Sequence, residues 1–110
     1  MDINHRSSAR VPLTLTVTIC RRGKSIGRFV TRNINPFGAF IEMPEEALKT
    51  DDFVEMSFVD KECSILQKGL VKHHDNKGVG VLFAYDFAEF RAMLRQHLAA
   101  LNPARQYPRW

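Results

Sequence analysis

The chain has 110 residues, of which 45% are hydrophobic and 25% charged, enough for one hydrophobic core and not for two. Sixteen Lys and Arg against twelve Asp and Glu leave a formal charge of +4, which favours an anionic partner without naming it. No apolar run approaches the ~20 residues of a membrane helix. The opening Met1-Asp2-Ile3-Asn4-His5-Arg6 lacks the apolar core of a signal peptide, so a cytoplasmic protein with no membrane insertion is expected.

Residues 1–12 are polar and read as a flexible arm, with Pro12 disfavouring helix at Val11. Leu13 to Cys20 alternates apolar residues with threonine, the pattern of a strand whose odd positions face a core. Arg21-Arg22-Gly23-Lys24 is a hairpin turn, and Ile26 to Asn33 returns as a second strand with a bend at Gly27. Asn35-Pro36-Phe37-Gly38 has turn chemistry, and Ala39 to Glu42 is a short third strand. Residues 44–50 form a loop or a single helical turn. Phe53 to Val59 and Cys63 to His73 are the fourth and fifth strands, the latter bending at Gly69. Asp75-Asn76-Lys77-Gly78 turns into a sixth, Val79 to Phe83.

The period then changes. Asp86 is an N-cap candidate with Glu89 three residues on, and Phe87, Phe90, Leu94, Leu98 and Leu101 recur on one helical face. Asn102-Pro103 ends the helix, and a tail carries Tyr107 and Trp110. The expected fold is all-β with one C-terminal helix, a small six-stranded antiparallel barrel. Its parts are an arm over 1–12, a barrel over 13–84, a helix over 85–102 and a tail over 103–110. A barrel of this size has no room for a large internal cavity, so a ligand must bind outside it or at a rim.

Chemistry-bearing residues are few. The sequence holds no HExxH, no GxxxxGK[ST] and no supported Ser-His-Asp set, so no enzyme activity is expected. His73 and His74 are adjacent on a strand and point to opposite faces, which argues against a shared metal; His5 and His97 are isolated. Cys20 and Cys63 form no CxxC and are expected as packing residues, not a disulfide. Two segments stand out. Arg6-Ser7-Ser8-Ala9-Arg10 offers two guanidiniums ahead of the first strand. Asn33-Ile34-Asn35-Pro36-Phe37-Gly38 offers two amides and a glycine between strands. Guanidinium forks bind phosphate and stack on planar rings, Asn amides read a purine edge, and a turn glycine allows close backbone approach. Together they suit a ligand with phosphates and base edges.

In order and separation these two segments resemble the PilZ family of cyclic diguanylate receptors, which carry RxxxR before the first strand and [D/N]xSxxG after the second. The first element matches in full. The second matches at Asn33 and Gly38, with Asn35 where the family has serine. Gly78 to Phe83 is similar to that family's closing strand, and the likeness runs from about Arg6 to the C-terminal helix. The resemblance implies a PilZ-like split barrel. It also implies cyclic diguanylate (cyclic di-GMP) as ligand, with Arg6 and Arg10 on phosphate and guanine and with Asn33, Asn35 and Gly38 shaping the guanine pocket. Ser7, Ser8 and His5 are secondary contacts. No cofactor and no metal accompany that ligand. Binding would order the arm and present a new surface to an effector protein in bacterial motility or biofilm control. Two alternatives remain: a PilZ-fold adaptor that does not bind the ligand, and a basic small barrel for single-stranded nucleic acid. The second needs exposed aromatics interleaved with Lys and Arg on a sheet, a pattern no strand shows.

Overall fold

The computed structural model describes residues 9–60, 63–101 and 104. His5, Arg6, Ser7 and Ser8, the turn at Lys61-Glu62, the Cys63 side chain, the helix end at Asn102-Pro103 and the aromatic tail lie outside the described residues. The strands are β1 (Val11–Pro12), β2 (Thr16–Arg21), β3 (Lys24–Asn35), β4 (Gly38–Glu42), β5 (Phe53–Asp60), β6 (Cys63–His74) and β7 (Gly78–Phe83). One helix follows, α1 (Ala88–Leu101). Strands β2, β5, β6, β7, β4 and β3 pair in a ring, all antiparallel, and the β3–β4 pairing closes a six-stranded barrel. Closure removes the sheet edges that would otherwise expose unpaired backbone groups. The two residues of β1 lie against β3, with Val11 opposite Ile34 and Pro12 opposite Asn33.

The predicted strand over 13–20 divides into an unpaired stretch over 13–15 and the paired residues of β2 from Thr16 onward. Its alternation survives the division: Leu13, Leu15, Val17 and Ile19 are buried, while Thr14 and Thr16 are exposed. Thr31 of β3 holds the unpaired stretch in place. Its buried hydroxyl donates to the Leu13 carbonyl at 2.7 Å and accepts from the Leu15 N–H at 2.9 Å. Its own N–H donates to the Leu15 carbonyl at 3.0 Å. The ladder with β4 shifts register just after Thr31, so β3 bends there and its last residues can serve β1 and β4 together.

Gly27 fulfils its predicted bend, with φ of 139° beside a register shift in the β2 pairing. Gly69 does not. In β6 the shift falls between Val71 and His73, and Gly69 instead admits its neighbours closely. A Cβ there would meet Val81 Cγ1 at 2.6 Å and Met56 Cε at 2.9 Å.

Helix α1 closes one end of the barrel through Phe90, Met93, Leu94 and Leu98, all buried. Phe90 meets Phe58 and Phe83 edge-on, each with centroids 5.2 Å apart, and this aromatic trio joins helix to barrel. Two helix expectations are corrected. Leu101 is 63% exposed, because the helix outruns the barrel after Leu98. The Asp86 carboxylate is gripped by Arg91 and lies two residues ahead of the first helical residue, and Phe87 supplies the carbonyl for the Arg91 N–H. The segment between β7 and α1 is anchored by buried Gln67, whose amide bonds both the N–H and the carbonyl of Tyr85.

Replacing Thr31 by Val keeps the shape and removes the hydroxyl, leaving the Leu15 N–H without its side-chain acceptor. A loss of about 1–3 kcal/mol is expected. It would appear in urea denaturation as a lower midpoint with an unchanged slope.

Candidate ligand site

Continuing the β1–β3 register by one residue puts Arg10 beside Asn35, at the start of the turn into β4. The side chain reaches over that turn: Arg10 Nη2 lies 3.0 Å from the position a Cβ would take on Gly38. The two separated sequence elements are therefore joined in space through Arg10 and Gly38. Arg10 is an exposed residue, yet its guanidinium loses part of its hydration where it lies over Gly38. That desolvation pulls its pKa below the ordinary guanidinium value, though an arginine stays protonated at neutral pH. The ion pairs among the described residues are Arg21–Asp52, Arg32–Glu42 and Arg91–Asp86, and none engages Arg10.

Asn35 builds the turn. Its Oδ1 accepts from the Phe37 N–H at 2.7 Å and from the Gly38 N–H at 2.9 Å, so Asn35 and Gly38 face each other across a two-residue loop of Pro36 and Phe37. Gly38 is demanded by crowding, not by φ: a Cβ would come within 2.5 Å of the Val81 carbonyl oxygen on β7. Asn33, two residues earlier, lies on the same face of β3. Its Oδ1 is buried and has no hydrogen-bond partner among the described residues. An orphaned buried acceptor costs about 1–3 kcal/mol.

Two neighbours were not legible in the sequence. Arg91 of α1 lies with Cζ 5.4 Å from the Phe37 ring centroid while bonding Asp86 through both carboxylate oxygens, at 2.5 and 2.7 Å. The Arg91 hydrogen bond holds the Asp86 carboxyl below its usual range, and Asp86 in turn raises the Arg91 guanidinium. The Phe37 carbonyl accepts from Phe83 N–H at 2.7 Å. The turn thus touches both the last strand and the helix. No sequence spacing links residue 37 to residue 91, so only the fold reveals it.

Of the residues expected at the site, Arg10, Asn33, Asn35 and Gly38 come together at one end of β3. His5, Arg6, Ser7 and Ser8 lie outside the described residues. The sequence profile of the PilZ domain matches residues 4–100. The chain belongs to the PilZ domain family. PilZ domains are a family of cyclic diguanylate receptors, in general binding or adaptor domains with no catalytic role. Among solved structures, the chain is similar to the PilZ domain of CeSA from a cellulose-synthesizing bacterium. The identity is 19% and the TM-score 0.66, over 86% of this chain and all of that one. It is also similar to the Bacillus subtilis inhibitor of motility MotI/DgrA, at 14% identity and TM-score 0.67, over 90% of this chain and 52% of that one. At these identities the likeness is one of fold, and this chain spans about half of MotI. No curated protein sequence matches the chain. No helix among the described residues is long and apolar enough to cross a membrane.

Because the Asn35 carbonyl carries two backbone bonds, Asn35→Ala should destabilise the PilZ barrel by about 1–2 kcal/mol. Asn35→Asp, which keeps the acceptor oxygen, should stay near wild type. Thermal unfolding of the two variants side by side separates the outcomes.

Proposed function

We propose that this PilZ domain is a cytoplasmic receptor for cyclic diguanylate. The reading is carried by one juxtaposition: the partly desolvated Arg10 guanidinium over Gly38, in the same corner as the orphaned Asn33 oxygen. Cyclic diguanylate carries two phosphates and two guanines. Its phosphates suit a guanidinium that has no carboxylate partner among the described residues, through charge-assisted bonds. The Watson–Crick edge of guanine offers N–H donors, the complement of an unpartnered Asn oxygen. Arg6 joins Arg10 on the ligand, with Ser7, Ser8 and His5 as secondary contacts, so that capture orders the arm over the turn. The signal then passes to an effector protein, in motility or biofilm control.

A second reading, an adaptor that has lost the ligand, draws on a different surface. Across the barrel from β3 and β4, Val59 and Leu66 are 50% and 68% exposed. Beside them runs a groove of about 520 Å³ between β6 and the start of α1, lined by Ile65, Leu66 and Phe87. A partner seated there would not need the arm. Nucleic acid finds less support: Phe53 is the one strand Phe exposed among the described residues, and a single ring makes no stacking platform.

Isothermal titration tests the proposal. The wild type should bind cyclic diguanylate with Kd at or below about 10 μM, a range usual for signalling ligands. Arg10→Ala and Asn33→Ala should weaken binding by about 10- to 100-fold. A linear guanine dinucleotide should bind poorly. No heat from the wild type at tens of micromolar would favour the adaptor, and an Arg10→Glu variant that still engaged the effector would support it further.

A further inference from the structure

On the outer face of the barrel a single cross-strand row runs away from the candidate site. Asn33 of β3 pairs with Phe40 of β4, Phe40 with Gly80 of β7, and Gly80 with His73 of β6. Directly paired residues share a face, so all four positions look outward, while their neighbours Ile34, Ala39 and Val81 fill the core. The row spans three interstrand steps, about 14 Å.

Its far end is built and not merely solvated. Phe40 points outward yet is only 8% exposed, because two planar groups cover it. Arg32 Cζ lies 4.9 Å from its ring centroid, and the His73 ring stacks on it at 6.1 Å with 27° between planes. His73 also lies across Gly80. A Cβ on Gly80 would meet both imidazole nitrogens at 2.6 Å, with Cε1 closer still. The glycine therefore makes room for this ring. His73 remains exposed on its outer side. Arg32, between the two ends of the row, is charged and among the described residues pairs with the exposed Glu42 at 3.3 Å.

We propose that His73, seated over Gly80 and against Phe40, is a second base-contacting residue, taking the far base of a ligand whose near base meets Asn33 and Arg10. The chemical class that fits is a dinucleotide with two planar bases, its phosphates near Arg32 and Arg10. A mononucleotide reaches one end of the row alone. The inference rests on the cyclic diguanylate reading and adds to it a residue that lies outside both sequence elements.

The test is titration of wild type, His73→Ala and His73→Phe with cyclic diguanylate and, separately, with GMP. Loss of one base stack should weaken cyclic diguanylate about tenfold in His73→Ala. His73→Phe, which keeps a flat ring, should stay within about threefold of wild type by the same argument. GMP affinity should be the same in all three. Wild-type binding that His73→Ala leaves untouched overturns the role of His73 and leaves the receptor reading standing. Equal weakening of GMP and dinucleotide also overturns it, as an indirect effect. Absence of any wild-type binding removes the receptor reading itself, and this inference with it. Should His73→Ala fail to fold, the His73 Cε1–H resonance of the wild type decides: it should move on addition of cyclic diguanylate, and a fixed resonance at saturation overturns the proposal.

Discussion

The barrel depends on one close approach. For β4 to fit between β3 and β7, the Val81 carbonyl must come so near residue 38 that no side chain is admitted there. Asn35 fixes the chain at that spot by taking both following N–H groups on a single oxygen, and Phe37 returns a carbonyl to Phe83. The turn that closes the ring is thus rigid, stripped of side-chain bulk at Gly38 and tied to the last strand. Those are also the properties of a surface that must receive a ligand against its backbone. Fold and candidate site are served by the same glycine, so a change at Gly38 cannot affect one alone.

What surrounds that turn is polar and incomplete. Arg10 gives up part of its hydration to lie over Gly38 without a carboxylate among the described residues, and Asn33 buries an oxygen with no donor. Elsewhere the described polar groups are better served: Thr31 makes three bonds through its hydroxyl and N–H, and Gln67 satisfies both ends of its amide. A fold able to satisfy Thr31 and Gln67 in its interior leaves the buried Asn33 oxygen without a donor among the described residues. The contrast gives the Arg10–Asn33 corner its functional reading. The Arg91 contact with Phe37 adds a link from this turn to α1, so an event at the turn is mechanically adjacent to the helix.

The sequence carried most of the fold, because alternation and turn chemistry are local. The odd-numbered run from Leu13 to Ile19, the Asn35–Gly38 turn and the Asp75–Gly78 turn are read from neighbours in the chain. Asp75 makes the same kind of turn as Asn35, its carboxylate accepting from the Lys77 and Gly78 N–H groups. The features without a local signature depend on contacts distant along the chain. Thr31 was indistinguishable from an outward threonine, yet it bridges Leu13 and Leu15. Gly69 looked like a bend and is a point of packing against Val81 and Met56. Asp86 looked like a cap and serves Arg91. Met93 fills the core off the predicted stripe and Leu101 on that stripe is exposed, since helical period alone does not say where the barrel ends. Of the candidate site, the residue identities were legible and the orphaned oxygen was not. The Phe40–Gly80–His73 row joins three strands and has no local signature at all.

The most direct test of the account is an amide and guanidinium NMR titration of the isotopically labelled protein with cyclic diguanylate. The account predicts saturable shifts centred on the Gly38 N–H, the Asn33 side-chain amide and the Arg10 Nε–H, with resonances of the Val59–Leu66 face unmoved. Shifts confined to that opposite face, or no saturable shift at any of the three groups, would contradict it.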